Sequence, residues 1–156
     1  MTGLNYKKLS LFLVTTTILS CISFLTRNVI ISNFNNYNFK LFTVDYVKNF
    51  GAAFSILHTH TSVLLVISTA ILLLTLYYIF LNLNKLSNLE FIFSSILTAG
   101  IICNLTERIC DGYVTDYIRL NYISFPIFNV SDIFICLGAF VLICNILFDN
   151  EHKSSQ

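Results

Sequence analysis

Two aspartates in apolar surroundings give this chain its clearest chemical signal. Asp116 lies in Tyr113-Val114-Thr115-Asp116-Tyr117-Ile118, and Asp132 follows Phe128-Asn129-Val130-Ser131 at the head of an apolar run. Two carboxyls brought close cannot both ionise, so one keeps its proton while the other stays charged. Such a pair supplies a general base to activate water and a general acid for the scissile amide. It needs neither a metal nor a covalent nucleophile. Which member is the base stays open, because a coupled pair titrates as a unit. Taken singly, Asp116 also reads as a loop residue, and Asp132 as a helix N-cap.

Other polar residues fall into patterns that could serve such a pair. Gly100, Asn104, Glu107 and Arg108 recur at i, i+4, i+7 and i+8, so a helix places them on one stripe. Polar groups in a membrane helix are costly and face the bundle interior or water, so the stripe must meet partners. A helix-end cluster binding headgroups or water is the alternative. In Asn49-Phe50-Gly51-Ala52-Ala53-Phe54-Ser55 the small residues admit another backbone, and Asn49 offers a donor and an acceptor. The plainer reading is a tight entry turn. His58 and His60 lack a third ligand nearby, and Cys21, Cys103, Cys110, Cys136 and Cys144 form no CxxC pair. No metal or cofactor is expected, and the cysteines read as packing residues. Asp45, Asp111 and Asp149 are expected to face solvent.

The elements that must hold these groups are membrane helices. The 156 residues are 56% hydrophobic and 11% charged, against about 25% charged in soluble domains. A net charge of +1, without a basic run, argues against a nucleic-acid partner. Apolar stretches occupy 9–26, 62–80, 89–105 and 133–148. Crossing the hydrocarbon takes about 20 residues, so the third is completed only by Thr106, Glu107 and Arg108, and the fourth by Ser131 and Asp132. Both extensions put polar groups at the same membrane face. One domain is expected, with spans near 9–26, 62–80, 89–108 and 131–148 and outer segments 27–61 and 109–130. Lys7 and Lys8 favour cytoplasmic termini. Lys7-Lys8 before an apolar run also resembles a signal peptide, but the run continues past Cys21, so an uncleaved first helix is expected. Segments 39–47 and 113–123 read as strands of a small outer sheet, with Asp111-Gly112 turning into the second. The tail from Asp149 is expected to be disordered.

Four blocks together resemble the lipoprotein signal peptidase, or signal peptidase II, family. They are Asn49 to Ser55, Asn104-Leu105-Thr106-Glu107-Arg108, Gly112 to Ile118, and Phe128-Asn129-Val130-Ser131-Asp132. Their order and spacing match over nearly the whole chain. The resemblance implies an essentially all-α membrane protein of four transmembrane helices with a small β-sheet on the outer face. It implies catalytic roles for Asp116 and Asp132, and supporting roles for Asn49, Gly51, Asn104, Glu107, Arg108 and Asn129. The expected activity is cleavage of diacylglyceryl-modified prolipoproteins before the lipidated cysteine. The expected setting is the bacterial cytoplasmic (inner) membrane, as a monomer whose partners are lipid-modified prolipoproteins and the bilayer. Three departures stand out: Glu107 replaces the family's usual Asp, Cys103 its usual Gly, and Ser23-Phe24-Leu25-Thr26-Arg27 its usual Asp-Gln-x-Thr-Lys. Glu107 keeps the charge with one extra methylene, which matters if that group holds Arg108 in a fixed pose. The alternatives are a small proton-coupled transporter, which also uses intramembrane carboxylates, and a catalytically inactive relative that binds lipoproteins.

Overall fold

The computed structural model describes residues 6–33, 36–51 and 61–154. Helix α1 spans Tyr6–Asn33, followed by strands β1 (Tyr37–Asn38) and β2 (Phe42–Asn49). Helices α2 (Thr61–Leu81) and α3 (Asn88–Cys110), strand β3 (Val114–Leu120) and helix α4 (Val130–Ser154) complete the order. Helices α1, α2 and α3 are long and apolar enough to cross a membrane, while the apolar part of α4 is shorter, Val130–Asn145. The chain is therefore mostly helical, but the sheet has three strands, and the short first one was not foreseen.

Helix α3 is the axis of the bundle, packing against α1, α2 and α4. It buries Phe91, Ala99, Ile101, Cys103, Asn104 and Glu107 among others, whereas α2 buries only Leu64 and Ile79. An all-round apolar helix such as α2 is at ease against lipid, where exposed leucines cost nothing. Small residues bring α3 and α4 close. A Cβ on Gly100 would lie 2.5 Å from the Ser131 carbonyl oxygen, and one on Gly138 would lie 2.7 Å from the Leu97 backbone nitrogen.

The ends of α3 are fixed locally. Ser87 and Glu90 form a capping box at its start. There Lys8 of α1 donates to the Leu86 carbonyl and stands 5.4 Å from the Phe91 ring centre. At the other end Asp111 caps the helix, and Gly112, at φ 80°, turns the chain into β3. This is the turn read from Asp111-Gly112, and only glycine enters that backbone region without strain. Helix α3 runs on through Thr106, Glu107 and Arg108, and α4 includes Ser131 and Asp132.

The antiparallel sheet has the order β1-β2-β3. Pairing of Val44 with Ile118 and of Val47 with Asp116 leaves two β2 residues opposite Tyr117, a bulge beside the aspartate. Both expected strands exist, but the first starts later than 39 because Phe39 and Phe42 exchange backbone hydrogen bonds in a tight turn. The second is extended on its far side by an isolated bridge between Ile118 and Phe128. The polar tail differs from expectation as well. Helix α4 continues to Ser154, since propagating a helix already nucleated adds a hydrogen bond per residue.

Candidate active site

Asp116 reaches the site from β3 and Asp132 from the first turn of α4, and the two line one cleft of about 430 Å³. Asn49 and Arg108 line it too, with Val114 and a largely apolar wall running from Phe125 to Phe128 and Ile133 to Leu137. Sequence separation is bridged by local geometry at each point. The β2–β3 pairing sets Asn49 opposite Val114, so the end of β2 arrives beside Asp116. The Ile118–Phe128 bridge folds the 121–128 segment back, delivering Asn129 and the start of α4 to the same place.

Asparagines hold both carboxylates. Asn49 Nδ2 donates to Asp116 Oδ2 at 2.8 Å, and Asn129 Nδ2 donates to Asp116 Oδ1 at 3.0 Å. Asn104 Nδ2 donates to Asp132 Oδ1 at 2.7 Å, and the Asn129 N–H donates to Asp132 Oδ2 at 3.1 Å. Asn129 Nδ2 also lies 3.2 Å from Asn104 Oδ1, so Asn129 touches the supports of both acids. Asn49 is in turn fixed by the Gly51 N–H, donated to its Oδ1 at 2.8 Å. The buried Gly51 gives its carbonyl to Arg108 Nη2 at 3.0 Å.

Asp116 is almost wholly buried, 2% exposed. Burial pushes its carboxyl up to about 7, with the nearby charge of Asp132 adding to the rise. The Asn49 and Asn129 hydrogen bonds and the Arg108 charge work in the opposite direction. A carboxyl that holds a proton near neutrality beside a second carboxyl is the condition for combined acid and base action.

Glu107 answers the question of what it holds. Its carboxylate does not orient Arg108. Glu107 Oε2 instead accepts from Arg27 Nε at 3.1 Å and from the Thr115 N–H at 2.7 Å. Consecutive positions on α3 diverge by about 100°, so Glu107 turns toward α1 and β3 while Arg108 turns to the cleft. Asp132 is likewise not the helix N-cap. Helix α4 begins at Val130, and Asn129 takes the cap position, its Oδ1 accepting the Asp132 N–H at 2.9 Å.

Asp111 is exposed as expected but pairs with Arg27 at 2.8 Å, and half-buried Asp45 pairs with Arg119. The Asp149 side chain lies outside the described residues, as do Ala52, Ala53, Phe54, Ser55, His58 and His60. Among the described residues no cluster of three His, Cys, Asp or Glu could hold a metal. Cys103 is buried, with its sulfur 3.8 Å from the Ser20 carbonyl oxygen, whereas Cys21, Cys110 and Cys136 are exposed rather than packed.

Several contributors were not singled out from sequence. Tyr117, 1% exposed, accepts the Val130 N–H on its hydroxyl at 3.2 Å and so ties β3 to the start of α4. Ser23 and Ser131 share a buried 2.6 Å hydrogen bond between α1 and α4. Adjacency to Asp116 and Asp132 is the signal that would have flagged Tyr117 and Ser131.

Residues 12–148 match the family model described as signal peptidase (SPase) II. The lipoprotein signal peptidase of Pasteurella multocida is 31% identical, over 88% of this chain and 91% of that protein. The lipoprotein signal peptidase of Clostridium tetani is 35% identical, over 74% and 75% respectively. A solved bacterial membrane enzyme superposes with a TM-score of 0.78 at 22% identity, covering 91% of this chain and 90% of its own. A second gives 0.73 at 23% identity, covering 87% and 92%.

Proposed function

The chain belongs to the signal peptidase II family, and we propose on that premise that Asp116 and Asp132 are its catalytic pair. Membership makes it a membrane peptidase that removes signal peptides from lipoprotein precursors. The observation that carries the assignment is the double grip of Asn129, whose side chain donates to Asp116 and whose backbone donates to Asp132.

In this reading the charged carboxylate takes a proton from a water, which attacks the scissile carbonyl carbon. The protonated partner hydrogen-bonds to the carbonyl oxygen, and the collapsing intermediate breaks the C–N bond as the leaving nitrogen receives a proton. Arg108 Nε is buried without a hydrogen-bond partner among the described residues. It is a donor suited to a substrate carbonyl near the pair. The apolar wall from Phe125 to Leu137 suits a lipid-modified substrate entering sideways from the bilayer, with cleavage before a diacylglyceryl-cysteine.

The same reading sets four helices across the bacterial inner membrane, both termini in the cytoplasm and the sheet on the outer face, in a monomer. Lys7 and Lys8 ahead of α1 support that orientation. A proton path is disfavoured because α2 contains no acidic or basic residue.

The test is a gel-shift assay with detergent-purified protein on lipidated and unmodified precursors of one prolipoprotein. Cleavage of the lipidated form alone, unaffected by EDTA and absent in Asp132→Asn, is the expected result. Equal cleavage of both precursors would remove the lipid requirement, and EDTA inhibition would remove the two-carboxylate route.

A further inference from the structure

Among the described residues the cleft is lined without any contribution from α1. Yet one α1 side chain reaches the residue that precedes Asp116. Arg27 Nε lies 3.1 Å from Glu107 Oε2 and 3.1 Å from Thr115 Oγ1, and its Nη2 lies 2.8 Å from Asp111 Oδ2. The guanidinium thus spans the α3–β3 turn, touching the residue that caps α3, the last buried acid of α3 and the second residue of β3.

Thr115 is where this frame meets the site. It is fully buried and directly precedes Asp116. Further along β3, Tyr117 and Ile118 send their N–H groups to the Phe128 carbonyl. At Thr115 the N–H goes instead to Glu107 Oε2, at 2.7 Å. A carboxylate therefore does there what a neighbouring backbone carbonyl does two residues on. The Thr115 carbonyl, on the other side of the same residue, accepts from Asn129 Nδ2 at 3.3 Å.

A hydrogen bond to an ionised acceptor is shorter and stronger than a neutral one, provided the acceptor keeps its charge and pose. Glu107 is 5% exposed, and removing one partner of a buried ion pair leaves the other uncompensated. Arg27 is the cation that reaches it. Arg108, its sequence neighbour, is committed to the Gly51 carbonyl on the cleft side.

We propose that Arg27 is a positioning residue of the peptidase: through Glu107 and Thr115 it fixes the β3 backbone that aims Asp116. This rests on the reading of Asp116 as catalytic. Helix α1 is then part of the active-site frame although it lines none of the described cleft. A displacement of about 1 Å at a reacting group can cost about 10²-fold in rate, so the effect belongs in kcat. Substrate affinity, set by the apolar wall, stays as it was.

The experiment measures kcat and KM on a lipidated precursor for Arg27→Met, Arg27→Lys, Glu107→Gln and the Arg27→Met/Glu107→Gln double variant. Arg119→Gln, which loses the Asp45 pair at the far end of the sheet, controls for general loosening. Arg27→Met is expected to lose about 10- to 100-fold in kcat with KM within about twofold of wild type. Arg27→Lys should recover part of the loss, and the double variant should be no worse than Arg27→Met. Arg119→Gln should keep the wild-type kcat. Wild-type kcat in Arg27→Met, additive losses in the double variant, or an equal loss in Arg119→Gln would each overturn the proposal. Should Arg27→Met fail to fold, Arg27→Lys and Thr115→Val decide. Lowered kcat at unchanged KM supports the proposal, and wild-type kcat in both overturns it. Asp116→Asn is run in the same series. If it retains turnover, the catalytic reading of Asp116 fails. If it is inactive while Arg27→Met is not, only the role of Arg27 fails.

Discussion

Asn129 and Asp132 cap one another. The Asn129 side-chain oxygen accepts the Asp132 N–H at 2.9 Å, while the Asp132 carboxylate accepts the Asn129 N–H at 3.1 Å. This is the reciprocal geometry of a capping box, with the acid at the third helical position. It leaves the Asn129 amide NH2 unused by the cap and free to donate to Asp116 Oδ1. Forming the end of α4 and aligning the two acids are therefore one event.

That double use can be separated by substitution. Asn129→Ala loses both the cap and the carboxamide donors, and should cost about 0.5–2 kcal/mol of stability. Asn129→Ser keeps an oxygen for the Asp132 N–H and should melt near wild type. Both should lose about 10- to 100-fold in turnover, since a hydrogen bond to a charged group contributes about 1.5–3 kcal/mol. Melting curves beside cleavage rates check this, and an active Asn129→Ser would confine Asn129 to capping.

Replacing either acid by its amide isolates the proton chemistry. Asp116→Asn and Asp132→Asn should each lower kcat by at least about 10²- to 10⁴-fold while the protein stays folded. The double variant should be little worse than the singles, because the two act as a unit. Near-full turnover in either single variant would return that residue to a structural role.

The raised carboxyl of Asp116 fixes the sign of a pH effect. Its native value of about 7 against an ordinary 3.8 means that the folded state holds a proton the unfolded chain has released. Stability contributed by this group therefore falls as pH rises from about 4 to about 7, then levels off. The total is a few kcal/mol at most, at about 1.4 kcal/mol per pH unit. Asp116→Asn should melt with a shallower pH dependence across that window. Cleavage by the wild type should decline above about pH 7, as the pair loses its shared proton. Superimposable melting profiles for the two proteins would show that burial does not perturb this carboxyl.

Close helix contact offers a test of the frame. In Gly100→Ala the new methyl would meet the Ser131 carbonyl at 2.5 Å and the Ile135 side chain at 2.8 Å. Relief requires α4 to move away from α3, and overpacking of this kind costs about 1–3 kcal/mol. Because Asp132 rides on α4 and Asn104 on α3, turnover should fall along with the melting temperature. An active, equally stable Gly100→Ala would mean that the helices have slack at this crossing.

Much of the architecture was legible because its physics is local or periodic. Apolar length marked the helices, and the shortfall in the third and fourth stretches marked polar residues at their ends. Alternating β-branched and aromatic residues marked β2 and β3, and Asp111-Gly112 marked the turn between α3 and β3. The aspartates stood out because charge among apolar neighbours is costly without a reason. The four blocks in order pointed to the family.

What the pattern did not contain was who holds whom. The helical stripe showed that Glu107 must meet a partner from another segment but not which one, and that partner is Arg27, eighty residues earlier, with Thr115 beside it. Asp132 looked like a cap, and the cap is Asn129. Sequence by itself determined which groups are polar, which segments are apolar and therefore which ends must gather near the sheet. Only the tertiary structure decided the hydrogen-bond assignments. A long side chain's partner depends on the direction it leaves its helix and on which distant segment packs there, and a 100° step between neighbours suffices to send one to the cleft and the next to α1.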